Sequence, residues 1–286
     1  MNILIYSFRY EPITNVVFKF QKELKINLLY TRDLLDKADI FDVVDHNKVQ
    51  INWKIPGRKK ITNSLRVKMI NRAFSVPDEW FESFHAEDRK YAKSEFWSYL
   101  TFSLESFPNS SEKPGVGSLT GSAQSLISQW KHVGDYFKEI CLPEYYIGPL
   151  DFSPGDWRHE AIYTHPYNYY FWKKNKPNLR QKENVFMVRK PQGDPYLIFI
   201  TGEIATVHEM ENHAELKING CMNERLVDFG VKLAKLFGFF FAEILVFLEG
   251  NDIVFSMINN CPLASEKTPV FEKSVVKCIK RFLEDK

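Results

Sequence analysis

The sequence predicts an α/β fold that shifts toward α+β in its C-terminal lobe, and three observations carry that expectation. Short apolar runs alternate with helix-period segments through the first 110 residues. The last hundred residues read helix, strand, acidic glycine turn, strand, Asn-containing loop and terminal helix. A hydrophobic content of 44%, with 24 Phe, supplies apolar surface for more than one core. A length of 286 residues suits two lobes, since domains cluster near ~100–150 residues.

Taken in order, Asn2 to Ser7 is a β-type run, and Val16, Val17, Phe20 and Leu24 recur at helical spacing. Ile26 to Tyr30 is the next strand, a charged turn or helix follows around Asp33 to Lys37, and Lys48 to Trp53 is extended again. Ser64 to Ile70 reads as a strand that delivers Asn71-Arg72-Ala73-Phe74 at its C-terminal end, where open α/β sheets favour ligands. Trp80 to Phe107 has a helical pattern, and Pro108-Asn109 ends it.

From Asn109 to Ser128 the chain is rich in Ser and Gly. Its Pro114 to Gly121 fragment has no Lys after the last glycine, so it fails the phosphate-loop pattern and reads as an interlobe loop. Gln124 to Ile140 is helical in pattern, and Glu144 to Ile147 is β-type. Leu150 to Asn184 shows no period and many aromatic residues. Seven Lys/Arg against one acid between Trp172 and Lys190 make either a solvated face or an anion site.

Val185 to Val188, Tyr196 to Ile200 and Ile204 to Val207 read as strands, and Glu224 to Phe237 as an amphipathic helix. Phe239 to Leu248 and Ile253 to Ile258 form a hairpin across Glu249-Gly250-Asn251-Asp252, and Phe271 to Leu283 closes with a helix. The expectation is one antiparallel sheet containing Tyr196–Ile200, Phe239–Leu248 and Ile253–Ile258.

A formal charge of +2 gives no field that singles out nucleic acid or membrane. The longest nearly apolar run, Leu236 to Leu248, contains Gly238 and Glu243 and falls short of the ~18–20 residues that span a bilayer. The N-terminal stretch lacks a basic n-region and a cleavage site, so secretion is not expected. Cys141, Cys221, Cys261 and Cys278 match neither a zinc knuckle nor a redox pair, and free thiols point to the cytoplasm. His208, Glu209, Glu211 and His213 form HExExH, whose two histidines share neither a helix face nor a strand face, so no zinc site is read there. His159 and His165 lie near Asp156 and Glu160, but no nucleophile motif accompanies them. The aromatic run Tyr167 to Trp172 reads as lobe packing rather than base stacking.

The segment Leu233 to Pro262 resembles the end of an ATP-grasp fold, in which two strands carry the magnesium ligands. Met69-Ile70-Asn71-Arg72, and Gln129-Trp130-Lys131 ahead of Leu142-Pro143, are similar to the pre-ATP-grasp lobe of graspetide or microviridin-type, RimK-like peptide ligases. The resemblance implies a pre-ATP-grasp-like lobe over 1–110 and an ATP-grasp-like lobe over 111–286, its central part at 151–184 shortened or rebuilt.

Carried over, Leu245 falls where the first strand has an acid, Met257 on the family Glu, Asn259 on the family Asn and Asn260 on the Pro. Glu243, two residues before Leu245, shares its strand face and either replaces the lost acid or pairs with a cation. The resemblance implies Glu243 and Asn259 as ligands of Mg²⁺, Lys131 and Lys190 as ATP phosphate contacts, and Arg72 or Arg189 at an acyl-phosphate oxyanion. Two functions follow from it. One is a degenerate protein of a peptide-modification pathway that recognises a peptide or serves a partner enzyme, in a homo- or hetero-oligomer. The other is an active ATP-dependent ligase joining a carboxylate to an amine or hydroxyl through an acyl phosphate.

Overall fold

The computed structural model describes residues 1–46, 48–153, 161–169, 184–210 and 220–284. These residues fall into two compact units, one of 1–123 with 237–240 and 270–286, the other of 124–236 with 241–269. The first unit thus runs past the boundary expected at 110 and takes back the C-terminal helix.

The first unit opens with β1 (Asn2–Tyr6), α1 (Pro12–Lys19), a one-turn α2 (Gln21–Leu24), β2 (Asn27–Tyr30) and α3 (Thr31–Asp36). Glu11 starts α1 by accepting from the Thr14 backbone N–H at 2.8 Å and the Thr14 hydroxyl at 2.9 Å, with Pro12 at the first helical position. Short strands follow: β3 (Asp39–Ile40), β4 (Val43–Val44), β5 (Val49–Gln50), β6 (Asn52–Lys54) and β7 (Ile61–Thr62). The single strand expected at Lys48–Trp53 is therefore two, in different sheets. Asn52 interrupts it by turning its side-chain amide onto the Phe41 and Gln50 carbonyls. Next come β8 (Lys68–Arg72), α4 (Arg89–Glu105) and β9 (Asn109–Ser110). β8 begins four residues after the expected start, because Ser64 closes a turn with the Val67 N–H. The sheet runs β2-β1-β8-β9, and every neighbouring pair is parallel.

The second unit contains α5 (Leu126–Tyr136), β10 (Tyr145–Pro149), β11 (Ala161–Thr164), β12 (Asn184–Arg189), β13 (Asp194–Thr201), β14 (Ile204–Glu209), α6 (Gly220–Phe237), β15 (Phe241–Glu249) and β16 (Asp252–Asn259). β10, β12 and β11 form one antiparallel sheet, so the stretch without sequence period contributes a strand at Ala161–Thr164. The other sheet is antiparallel in the order β14-β13-β15-β16, which places the three expected segments side by side. Gly238, at φ +70°, ends α6 with the left-handed residue that a helix C-terminus favours. Finally α7 (Phe271–Glu284) returns to the first unit and meets α1 and α2 through Lys19–Glu272 at 2.6 Å and Lys280–Glu23 at 2.5 Å.

Among the described residues no helix is long and apolar enough to cross a membrane. Trp172, His159, Glu211 and His213 lie outside the described residues, with most of the basic stretch.

Candidate functional site

The faces of the β14-β13-β15-β16 sheet are told apart by α6. A Cβ on Gly230 would lie 2.8 Å from Ile198 Cγ2 and 3.2 Å from Ile200 Cδ1, so glycine lets the helix sit directly on that face. Side chains alternate along a strand, so the opposite face belongs to the residues in between. Strand register sorts them into two rows. His208, Leu197, Leu245 and Met257 stand side by side in the first, and Thr206, Phe199, Glu243 and Asn259 in the second. Both rows precede the bulge after Leu245, where Ser256 is an extra residue on β16, so plain alternation places them on one face.

The first row is closed to water: His208, Leu197, Leu245 and Met257 are all buried. Leu245 and Met257, the positions where the resemblance expects metal-binding carboxylates, are direct cross-strand partners. An apolar pair at that spot offers no oxygen to a cation. His208 Nε2 lies 3.1 Å from Thr206 Oγ1, its neighbour on the same face.

In the second row Glu243 and Asn259 are brought together as direct partners across β15 and β16. Glu243 Oε2 accepts from the Ala264 N–H at 3.0 Å, the Ser265 N–H at 2.8 Å and the Ser265 hydroxyl at 2.9 Å. That oxygen is an anchor for the loop after β16, where a one-turn 3-10 helix spans Ser265–Lys267. Asn259 is tied to the same loop, donating to the Cys261 carbonyl at 2.9 Å and accepting from the Cys261 N–H at 3.1 Å. Mg²⁺ wants hard oxygens in near-octahedral array, with one or two protein carboxylates beside phosphates. Two apolar positions, one carboxylate oxygen holding three donors and one amide closed on its own backbone do not fit that ion.

The edge of β16 is covered by residues adjacent to an expected phosphate contact. Gln129 Nε2 donates to the Ile258 carbonyl at 3.0 Å and Gln129 Oε1 accepts from the Ile258 N–H at 2.8 Å, so one side-chain amide imitates a strand residue. Trp130 Nε1 donates to the Ser256 carbonyl at 2.7 Å, and the Cys141 backbone pairs with Ile253 and Phe255. The edge groups are thereby satisfied and closed to further pairing. Lys131, one residue on, points the other way on α5: it is 74% exposed and pairs with Asp135 at 2.8 Å. That pair raises the Lys131 ammonium above its ordinary range and lowers the Asp135 carboxyl, through the hydrogen bond first.

Arg189 ends β12 and meets Glu144 at 3.1 Å, and Lys190 is exposed just beyond it without an ion pair among the described residues. Arg72 belongs to the first unit, where it is 0% exposed. Its guanidinium sits between Glu11 at 2.6 Å and Glu112 at 3.1 Å, stacked on Phe74 at 4.6 Å. Glu112 also accepts from the Thr120 hydroxyl and from the Phe240 N–H at 2.9 Å. This buried charged cluster braces three segments of the first unit.

Comparison with solved structures bears directly on these two sheets. The macrocyclase MdnC bound with precursor peptide MdnA, from Microcystis aeruginosa, is similar over 99% of both chains, with 12% identity and a TM-score of 0.65. The chain has an ATP-grasp fold. It is similar as well to the ligase PsnB complexed with precursor peptide PsnA2 and AMPPNP, at 11% identity, 98% coverage of each chain and a TM-score of 0.64. A Chryseobacterium gregarium RiPP-associated ATP-grasp ligase in complex with ADP and a leader and core peptide gives 11% identity, covering 98% and 95%, with a TM-score of 0.60. No family model and no curated protein sequence matches. The ATP-grasp resemblance read from Leu233–Pro262, and the graspetide-type one read from Met69–Arg72 and Gln129–Lys131, are met in the fold of the whole chain.

The Leu245–Met257 partnership was legible only as two substitutions in a motif; their direct pairing depends on register. Gln129 and Trp130 entered only as flanks of Lys131; their capping of the β16 edge left no signal, since a side chain that caps a strand edge leaves no spacing pattern.

Proposed function

We propose that this chain is a degenerate ATP-grasp protein that recognises a peptide in a peptide-modification pathway, serving as a binding subunit rather than a ligase. The observation that carries the proposal is the buried Leu245–Met257 pair where the resemblance expects metal-binding carboxylates. Glu243 supports it, because the nearest replacement acid is engaged by the Ala264 and Ser265 amides. Solved relatives of this fold hold precursor peptides, which supports a peptide as the partner. When bound, ATP with Mg²⁺ would supply the γ-phosphoryl group that activates a substrate carboxylate; in this chain the residues that would receive the metal do not fit it.

The experiment is isothermal titration of ATP with Mg²⁺ into the wild type and into Leu245→Asp/Met257→Glu. The expected result is no Mg²⁺-dependent heat for the wild type and a measurable signal for the double variant, whose two carboxylates stand as cross-strand partners. Micromolar Mg²⁺-dependent ATP binding by the wild type refutes the proposal.

One observation favours the second reading, an active carboxylate–amine or carboxylate–hydroxyl ligase. The Lys190 ammonium is exposed and has no ion pair among the described residues, as a phosphate contact requires. Under that reading Lys190→Ala abolishes Mg²⁺-dependent ATP binding by the wild type.

A further inference from the structure

The carboxyl end of the first unit's parallel sheet carries a feature that the ATP-grasp reading does not absorb. Tyr6 and Tyr30 end β1 and β2 as register partners, and their rings stack at 5.4 Å with 27° between planes. Phe18 of α1 meets Tyr6 edge-on at 5.3 Å, and the Arg9 guanidinium lies 5.5 Å above Phe18. Arg9 is exposed and makes no ion pair among the described residues, and neither tyrosine hydroxyl has a hydrogen-bond partner there. Burial first, and then the Asp33 carboxylate, push the Tyr6 phenol above its ordinary range, so it remains a proton donor. In the turn after β1, Tyr10 is 85% exposed and Phe8 43%.

Three donor groups with no hydrogen-bond or ion-pair partner among the described residues thus lie along one run of ring contacts, next in sequence to two exposed rings, at the end of a parallel sheet where ligands collect. Charge selects among ligands. Arg58 is spent on Asp33 at 3.2 Å and on the Leu28 carbonyl, and Lys37 on Asp33 at 2.9 Å. Among the described residues one unpaired guanidinium remains beside these rings, which matches one carboxylate; a nucleotide's phosphates call for several cations or a nest of backbone amides. The exposed Phe8 and Tyr10 rings add area that a lone carboxylate cannot use and a peptide can.

We propose that this aromatic ledge docks an acidic peptide segment, seating one carboxylate on Arg9 and the Tyr6 and Tyr30 hydroxyls, with a neighbouring apolar side chain against the exposed rings. The proposal rests on the peptide-recognition reading above and adds the place and the chemistry.

The probe is a fluorescein-labelled peptide of alternating Glu and Phe, followed by anisotropy, with a Gln-for-Glu peptide as its uncharged counterpart. The wild type binds the acidic peptide in preference to the uncharged one. Arg9→Ala weakens binding about tenfold, as loss of a charge-assisted contact should. Tyr6→Phe and Tyr30→Phe each weaken it about threefold, and melting temperatures stay at the wild-type value. A photoreactive group replacing one Phe cross-links within residues 6–10. Equal binding of the two peptides, unchanged binding by Arg9→Ala, or displacement by ADP overturns the ledge. Binding that cross-links elsewhere also overturns it, yet leaves peptide recognition standing; Mg²⁺-dependent ATP binding by the wild type fails the recognition reading itself.

Discussion

Replacing Glu243 separates an anchor from a metal ligand. In Glu243→Leu the Ser265 N–H and hydroxyl lose their acceptor where Ser265 is fully buried. Each unsatisfied buried group costs about 1–3 kcal/mol. The Ala264 N–H is only part-buried, so water can replace its bond. The loop then opens about 3 kcal/mol more easily, which is about a hundredfold faster exchange of the Ser265 amide. Glu243→Gln keeps an oxygen acceptor and loses only the charge assistance, so its loss is about 1 kcal/mol. Hydrogen–deuterium exchange of a peptide covering 263–268 reads both variants without a global two-state assumption. The refuting result is unchanged protection of that peptide in both variants, together with Mg²⁺-dependent nucleotide binding lost on Glu243→Gln.

Gln129→Leu leaves the buried Ile258 N–H and carbonyl without their side-chain partner, and urea unfolding should show a loss of about 2–4 kcal/mol. Arg72→Met strands Glu11 and Glu112 in the interior, and loss of soluble folded protein, or about 3–5 kcal/mol by denaturation, is expected. Lys131→Ala leaves the melting temperature and peptide binding unchanged, because its ion pair with Asp135 is exposed. Iodoacetamide with mass spectrometry should mark Cys141 and Cys221 before unfolding and Cys278 only after it, since burial pushes the Cys278 thiol up to about 12. The same thiol binds its proton more tightly folded than unfolded, so its share of stability is complete below 9.0 and falls as pH rises toward 12.

What the sequence yielded tracks how locally each feature is encoded. β15 and β16 were readable because a two-sided buried strand is continuously apolar and Gly250, at φ +66°, marks the turn. The expected helix Trp80–Phe107 is a 3-10 turn at Asp78–Phe81 followed by α4 from Arg89, since charged residues at 85–90 break the apolar stripe. β3 and β9 are two residues long and paired with β6 and β8, outside any strand-length window, so no such window contains their cause. At the site, strand assignment was enough to place Glu243 and Asn259, but their employment was not legible. It depends on Ala264, Ser265 and Cys261 folding back onto the sheet.

The first unit is stitched from three separated stretches, and the last of them is α7. A ribosome making this chain therefore completes the sequence of the second unit, through Pro269, while the first is still missing a helix. Until then Lys19, Glu23 and Lys68 wait for Glu272, Lys280 and the Phe282 carbonyl. Residues made before the second unit are thus secured only after it. A premature stop just before α7 would release a chain with one finished half and one half left open to chaperones and proteases.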